Sequence, residues 1–280
     1  MDSTIADQQP PKMEPAAESS SATAKQRKRK RKRNAIAHDT TTPLMILPIH
    51  AYPVGWNPVI KFEGRVVYGR TVEEVEKATA ELLGIIQSKG GGLDGPVALG
   101  FDIEWKPTFQ KGVAPRKAAV MQICVDASTC YVMHIIHSGI PSILQSLLED
   151  PKYVKVGVSI ADDVVKILKD YEVCVNSVED LSSIADLKIR GDPKTWGLAS
   201  LTERLTCKKL EKPQRIRLGN WEIEILSTRQ LQYAATDAFV SWHLYQILRS
   251  FPDIVNDQNM EQGFIKKKKK KLGQGENIKA

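Results

Sequence analysis

The chain has 280 residues, 42% hydrophobic and 26% charged, which fits a folded globular protein and excludes a fibrous or wholly unstructured one. Lys and Arg total 40 against 33 acidic residues, a formal charge of +7, but the excess sits at the ends. Residues 1–40 hold nine basic and five acidic side chains, residues 252–280 seven and four, and residues 41–251 balance at 24 of each. A neutral body makes the net charge weak evidence for a nucleic-acid-binding fold. The four cysteines, Cys124, Cys130, Cys174 and Cys207, form no CxxC pair and read as reduced thiols of an intracellular protein. The N-terminus lacks the apolar core of a secretory signal. The uncharged stretch 127–148 contains two histidines and a Gly139-Ile140-Pro141 break, so no membrane span is expected.

In chain order, residues 1–40 carry almost no large apolar side chains and cannot offset the entropy of ordering, so they are expected to be disordered. Within them Lys25, Arg27, Lys28, Arg29, Lys30, Arg31, Lys32 and Arg33 make eight basic residues in nine. This is the pattern of a nuclear-localisation signal, and it implies an import receptor and residence in the nucleus. Residues 64–68 read as a strand, and a capping box at Thr71 and Glu74 opens a helix that runs to a Gly90-Gly91-Gly92 stop. Strands follow at 97–105, 118–125 and 130–136, the last two joined as a hairpin through residues 126–129. Residues 141–148 look helical and 154–158 form a further strand. Helices are expected at 162–171, 179–187, 197–206 and 228–249. This order implies an α/β fold, a mixed sheet of five to six strands covered by helices on both faces. That domain spans 41–251, between the basic tail 1–40 and a disordered Lys-rich tail 252–280 that holds the six lysines of 266–271. The GxxxxGK[ST] pattern is absent, which excludes a P-loop motor.

The chemistry-bearing signal is a set of acids in apolar surroundings. Along residues 97–105, a period of two puts Val97, Leu99, Phe101, Ile103 and Trp105 on a core face. Ala98, Gly100, Asp102 and Glu104 share the other. Ala98 and Gly100 suit close cover by a helix, so the two carboxylates are partly buried and call for a cation. On the last helix, Leu231, Ala234, Ala235, Ala238, Trp242 and Tyr245 make one apolar face, and Gln232, Thr236, His243 and Gln246 a polar strip. A second apolar stripe, Val240, Leu244 and Ile247, continues backwards to Asp237 and Tyr233. In the helix after the 154–158 strand, Val164, Ile167, Leu168 and Tyr171 form the core stripe. Asp162 falls with Lys166 and Lys169 on the solvent side, whereas Asp163 lies about 40° from Ile167, at the margin of the buried face. Asp102, Glu104, Asp163 and Asp237 are hard oxygen donors of the kind that hold two Mg²⁺ or Mn²⁺ ions for displacement at phosphorus. The five histidines show neither triad nor zinc spacing and read as structural.

The segments FDIEW, GVSIADD and YAATDA resemble the three motifs of the DEDD exonuclease superfamily, in the DEDDy branch that Tyr233-x3-Asp237 marks. LGFDIEW, MQICV, KVGVSIADD, WGLASL and LQYAATDA, in that order over about residues 95–250, are similar to the Werner syndrome-type 3′→5′ exonucleases, in a stand-alone plant-style form without a helicase. The resemblance implies a ribonuclease H-like fold and two ions, Mg²⁺ or Mn²⁺, ligated by Asp102, Glu104 and Asp237. It implies that Asp163 holds the second ion and that Tyr233 orients the attacking water. It further implies removal of nucleotides from DNA 3′ ends, usually recessed ends of duplexes, and DNA-repair proteins as partners. One alternative is an exoribonuclease of ribonuclease D type. Another is an inactive nucleic-acid-binding adaptor, which predicts a missing carboxylate where this chain has all four. Lys208, Lys209, Lys212, Arg215 and Arg217, with Arg204, suit phosphate contact and equally a solvated helix end and loop.

Overall fold

A computed structural model describes residues 58–89, 96–189 and 196–253. The N-terminal tail with its basic run at 25–33, residues 254–280 with the lysines of 266–271, and the Gly90-Gly91-Gly92 stop lie outside the described residues.

Among the described residues, six strands make one mixed sheet: β1 Arg65–Gly69, β2 Val97–Glu104, β3 Val120–Cys124, β4 Thr129–Met133, β5 Tyr153–Gly157 and β6 Val178–Asp180. Their order is β1-β4-β3-β2-β5-β6. β2 pairs antiparallel with β3, and β3 with β4, as the hairpin reading expects. The outer pairings β1–β4, β2–β5 and β5–β6 are parallel. Alternation sorts the core. Leu99, Phe101, Ile103, Met121, Ile123, Tyr131 and Met133 face one layer, formed by α1 Val72–Lys89, α3 Ser142–Glu149 and α4 Ile160–Tyr171. Val120, Cys124, Cys130, Val132, Val154 and Val156 face the other, where α5 Leu181–Lys188, α6 Leu198–Thr206 and α8 Thr228–Ser250 pack. Helices on both faces of a mixed sheet are the architecture that the strand and helix order implied.

Three short elements depart from the sequence expectation. The second strand of the hairpin stops at Met133 instead of 136, and α2 Ile135–Ser138 takes over. The reason is His134, whose Nδ1 meets the Tyr68 hydroxyl at 2.7 Å and whose Nε2 meets the Trp221 carbonyl at 2.9 Å, turning the chain off the sheet. Val178–Asp180 pair with β5, although the sequence predicts a helix from residue 179. There Asp180 caps two helices at once, accepting from Ile160 N at 3.2 Å and Ser182 N at 2.8 Å, which charge and dipole both favour. A single turn, α7 Gln214–Arg217, falls in a stretch read as loop. Two side chains of α4 also differ. Leu168 is exposed rather than core, and Lys166 is largely covered, because it pairs with Asp170 at 2.9 Å and donates to the Arg116 carbonyl at 2.6 Å.

The long helix α8 positions the site. It opens with a capping box, Ser227 Oγ accepting from Gln230 N at 3.3 Å and Gln230 Oε1 from Ser227 N at 3.1 Å. It then lies across the centre of β2, so close that a Cβ on Gly100 would stand 2.0 Å from the Ala238 carbonyl oxygen. Only glycine permits that approach. Thr236, read on the polar strip, is buried, where its hydroxyl accepts from Phe62 N at 3.2 Å.

Candidate active site

The last two residues of β2 that face α8 are acids, at the C-terminal end of a strand whose neighbours run antiparallel on one side and parallel on the other. Asp102 and Glu104 project from β2, and Asp237 reaches down from α8. Carboxylate oxygens of the three lie within 4.8 Å of one another. Glu104 and Asp237 are buried and Asp102 is half-buried. Removal from water is the main force on their protonation. Burial, then the charge of Asp237, raises the Asp102 pKa to about 7. Burial, then Asp102, pushes Glu104 well above the carboxylate range. Burial raises Asp237 as well, against the pull of Lys212.

Asp163 is buried on the first turn of α4 and Asp162 beside it is exposed, as the helical spacing expects. Asp163 stands outside the three-carboxylate cluster, but burial and then the Asp102 charge raise its pKa to about 9. Ser159, which precedes α4, sits in the left-handed region at φ 58°, a conformation that costs a non-glycine residue about 1 kcal/mol or more. Tyr233 is buried one turn before Asp237, its ring 6.1 Å from that of Trp221. Burial, then the surrounding acids, pushes its hydroxyl pKa upward. The hydroxyl faces Asp237 and favours that carboxylate's charged form.

Two further residues enter the cluster. Gln122, directly opposite Asp102 in the register, donates from Nε2 to Asp102 Oδ2 at 3.0 Å. The sequence signal for it was a single polar residue on the β3 face of Val120 and Cys124. Lys212, grouped in the sequence with phosphate-contacting residues, pairs with Asp237 Oδ2. Lys208, Lys209, Arg215 and Arg217 are exposed. Trp105 packs against the core with Lys166 Nζ 5.0 Å from its ring centroid.

The donor set fits a hard divalent cation. Three carboxylates converge, and two buried oxygens, Asp237 Oδ1 and Gln122 Oε1, have no hydrogen-bond partner, as expected where a cation or its water belongs. A ribonuclease H-like sheet with carboxylates gathered at its central strand defines a class, the metal-using nucleases.

Comparison with known proteins makes this specific. The family model of the 3′-5′ exonuclease domain matches residues 72–251. The chain is 55% identical over 199 residues to a 3′-5′ exonuclease of Arabidopsis thaliana, covering 71% of this chain and 68% of that one. It is 34% identical over 197 residues to the bifunctional 3′-5′ exonuclease/ATP-dependent helicase WRN of Mus musculus, covering 70% of this chain and 13% of that one. A 3′-5′ exonuclease of Drosophila melanogaster is 28% identical and is covered over 59% of its length. The chain belongs to the 3′-5′ exonuclease family and is an enzyme. Solved structures share the fold: ribonuclease D of Trypanosoma brucei in complex with RNA U12 at TM-score 0.56 and 19% identity, over 69% of this chain and 65% of that one. The EXO domain of Aedes aegypti Nibbler matches at TM-score 0.55 and 18% identity, over 68% and 91%. Among the described residues no helix is long and apolar enough to cross a membrane.

Proposed function

We propose that the protein removes nucleotides from the 3′ ends of DNA, preferentially recessed ends of duplexes, by a two-metal mechanism with Mg²⁺ or Mn²⁺. The observation that carries this reading is the convergence of Asp102, Glu104 and Asp237 with an orphaned Asp237 Oδ1. Asp102, Glu104 and Asp237 would hold the ions, and Asp163 would complete the set. Bound there, the ions supply a polarised water and neutralise charge developing on the phosphate. Tyr233 keeps its proton, because burial and the acids push its pKa up. It therefore acts as a neutral hydroxyl that orients the nucleophilic water, not as the base that deprotonates it. Gln122 fixes the rotamer of Asp102.

DNA is favoured because the motifs resemble those of the Werner-type exonucleases and identity to the WRN relative is 34%, whereas the RNA-bound ribonuclease D shares only the fold at 19%. The test offers labelled DNA and RNA of one sequence, each as the 3′-recessed strand of a duplex, with Mg²⁺, Mn²⁺ or EDTA. A metal-dependent ladder on DNA supports the reading, and a faster one on RNA replaces it with the ribonuclease D alternative. Activity surviving EDTA removes the metal mechanism. The basic run at 25–33 supports import into the nucleus, where repair proteins would be its partners. Deleting residues 1–40 from a fluorescent fusion should disperse it, with cleavage of a short duplex unchanged; persistent nuclear accumulation would refute the import role.

A further inference from the structure

A buried cluster of carboxylates repels itself, and the protein carries its own partial remedy. Lys212 Nζ pairs with Asp237 Oδ2, lies 5.2 Å from the centroid of the Tyr233 ring, and its charge also bears on Asp102 and Glu104. The backbone that presents it is anchored. Lys209 donates from N to the Pro58 carbonyl at 2.9 Å and accepts at its own carbonyl from Ile60 N at 3.0 Å. Leu210 is buried in the core, and Pro213 caps α7. The side chain is freer: it is 28% exposed while its partner is 2% exposed, so one end of the pair is fixed and the other has a way out. Asp237 is also the acid whose second oxygen is orphaned.

We propose that Lys212 is a built-in counter-cation, holding Asp237 while the site is metal-free and leaving it when a divalent ion binds, so that metal affinity is set by competition with this side chain. An ammonium and a divalent ion crowded on one buried carboxylate repel strongly at low dielectric, and the higher charge wins. A plain structural ion pair predicts the reverse dependence, because a lysine that positions Asp237 for the metal would strengthen binding. The inference rests on the metal reading above.

The experiment uses the full chain without nucleic acid, stripped with EDTA and then titrated with Mn²⁺, free Mn²⁺ being counted by electron paramagnetic resonance. Lys212→Met should bind Mn²⁺ about tenfold more tightly than wild type, within the usual range of coupling between sites. In EDTA it should melt below wild type, since it leaves Asp237 buried and unpaired. Saturating Mn²⁺ should close that gap, and Lys212→Arg should stay near wild type. A readout on the wild type alone is acetylation of Lys212 by an N-hydroxysuccinimide ester, followed by mass spectrometry. Labelling should rise several-fold when Mn²⁺ is added. Equal or weaker Mn²⁺ binding by Lys212→Met, or labelling indifferent to Mn²⁺, overturns the competition and leaves the metal centre standing. If wild type binds no Mn²⁺, both fail together.

Discussion

At the scale of single residues, the neighbours Asp162 and Asp163 give the sharpest contrast. They carry the same chemistry, yet one meets water and the other is 9% exposed with its pKa raised to about 9 by burial and then Asp102. On the metal reading proposed above, a carboxylate is tolerated there because it would share a cation with the other acids. Asp163→Asn should therefore abolish turnover with the fold intact, whereas Asp162→Asn should stay within a few-fold of wild type. Initial rates beside circular dichroism decide this, and the opposite ranking would show that the second-motif ligand is Asp162. Tyr233 makes a second case. Its ring is wedged against Trp221, so Tyr233→Phe keeps the packing and loses only the hydroxyl. The rate should fall about 10²-fold with little change in DNA affinity; an unchanged kcat would return Tyr233 to a purely structural role.

At the scale of elements, the site depends on how closely α8 lies on β2. Gly100 shares the Asp102 face, and a methyl there would strike the Ala238 carbonyl at 2.0 Å and Trp242 N at 2.7 Å. Both belong to the helix that carries Asp237, so Gly100→Ala cannot be relieved by a side-chain rotation. It should cost about 1–3 kcal/mol as overpacking and lift Asp237 away from Asp102. Denaturant unfolding and Mn²⁺ affinity should both fall; a variant of wild-type stability would mean that α8 rides higher over the sheet. This contact also shows why much of the site could be read in advance. Strand alternation leaves Asp102 and Glu104 no face but that of Ala98 and Gly100, and helical spacing puts Asp237 at the head of a covered stripe. What could not be read was non-periodic or remote. Strand β6 is three residues long, too short to show a period, and its Glu179-Asp180 looks like a helix start. The partner of Lys212 is 25 residues away in sequence, and no local pattern separates it from its exposed basic neighbours.

At the scale of the whole molecule, the acids couple the site to stability. Burial raises all four, Asp102 to about 7 and Asp163 to about 9, whereas in an unfolded chain such groups titrate near pH 4. Between those limits the native state binds more protons than the unfolded one, so metal-free stability falls as pH rises. Buried bases work the other way. Burial lowers His134 to about 4, and burial, then the charge of Lys208, lowers His243, so their contributions rise with pH until the unfolded imidazoles, half titrated near 6.5, have lost their protons. Lys155, lowered to about 8 by burial, adds stability with rising pH only in a more alkaline range. The four acids therefore outweigh the bases between about pH 6.5 and 8. Across that interval in EDTA the melting temperature should drop by several degrees, on the scale of about 2–4 °C per kcal/mol for a domain of this size. Divalent ions need deprotonated ligands and bind more tightly as pH rises, so saturating Mg²⁺ or Mn²⁺ should flatten or reverse the slope. Asp102→Asn should melt above wild type in EDTA at pH 8, having lost one of the repelling charges, and should gain less from added metal. A melting temperature that climbs from pH 6.5 to 8 in EDTA would show that the acids are already ionised in the metal-free fold, with Lys212 sufficient to hold them.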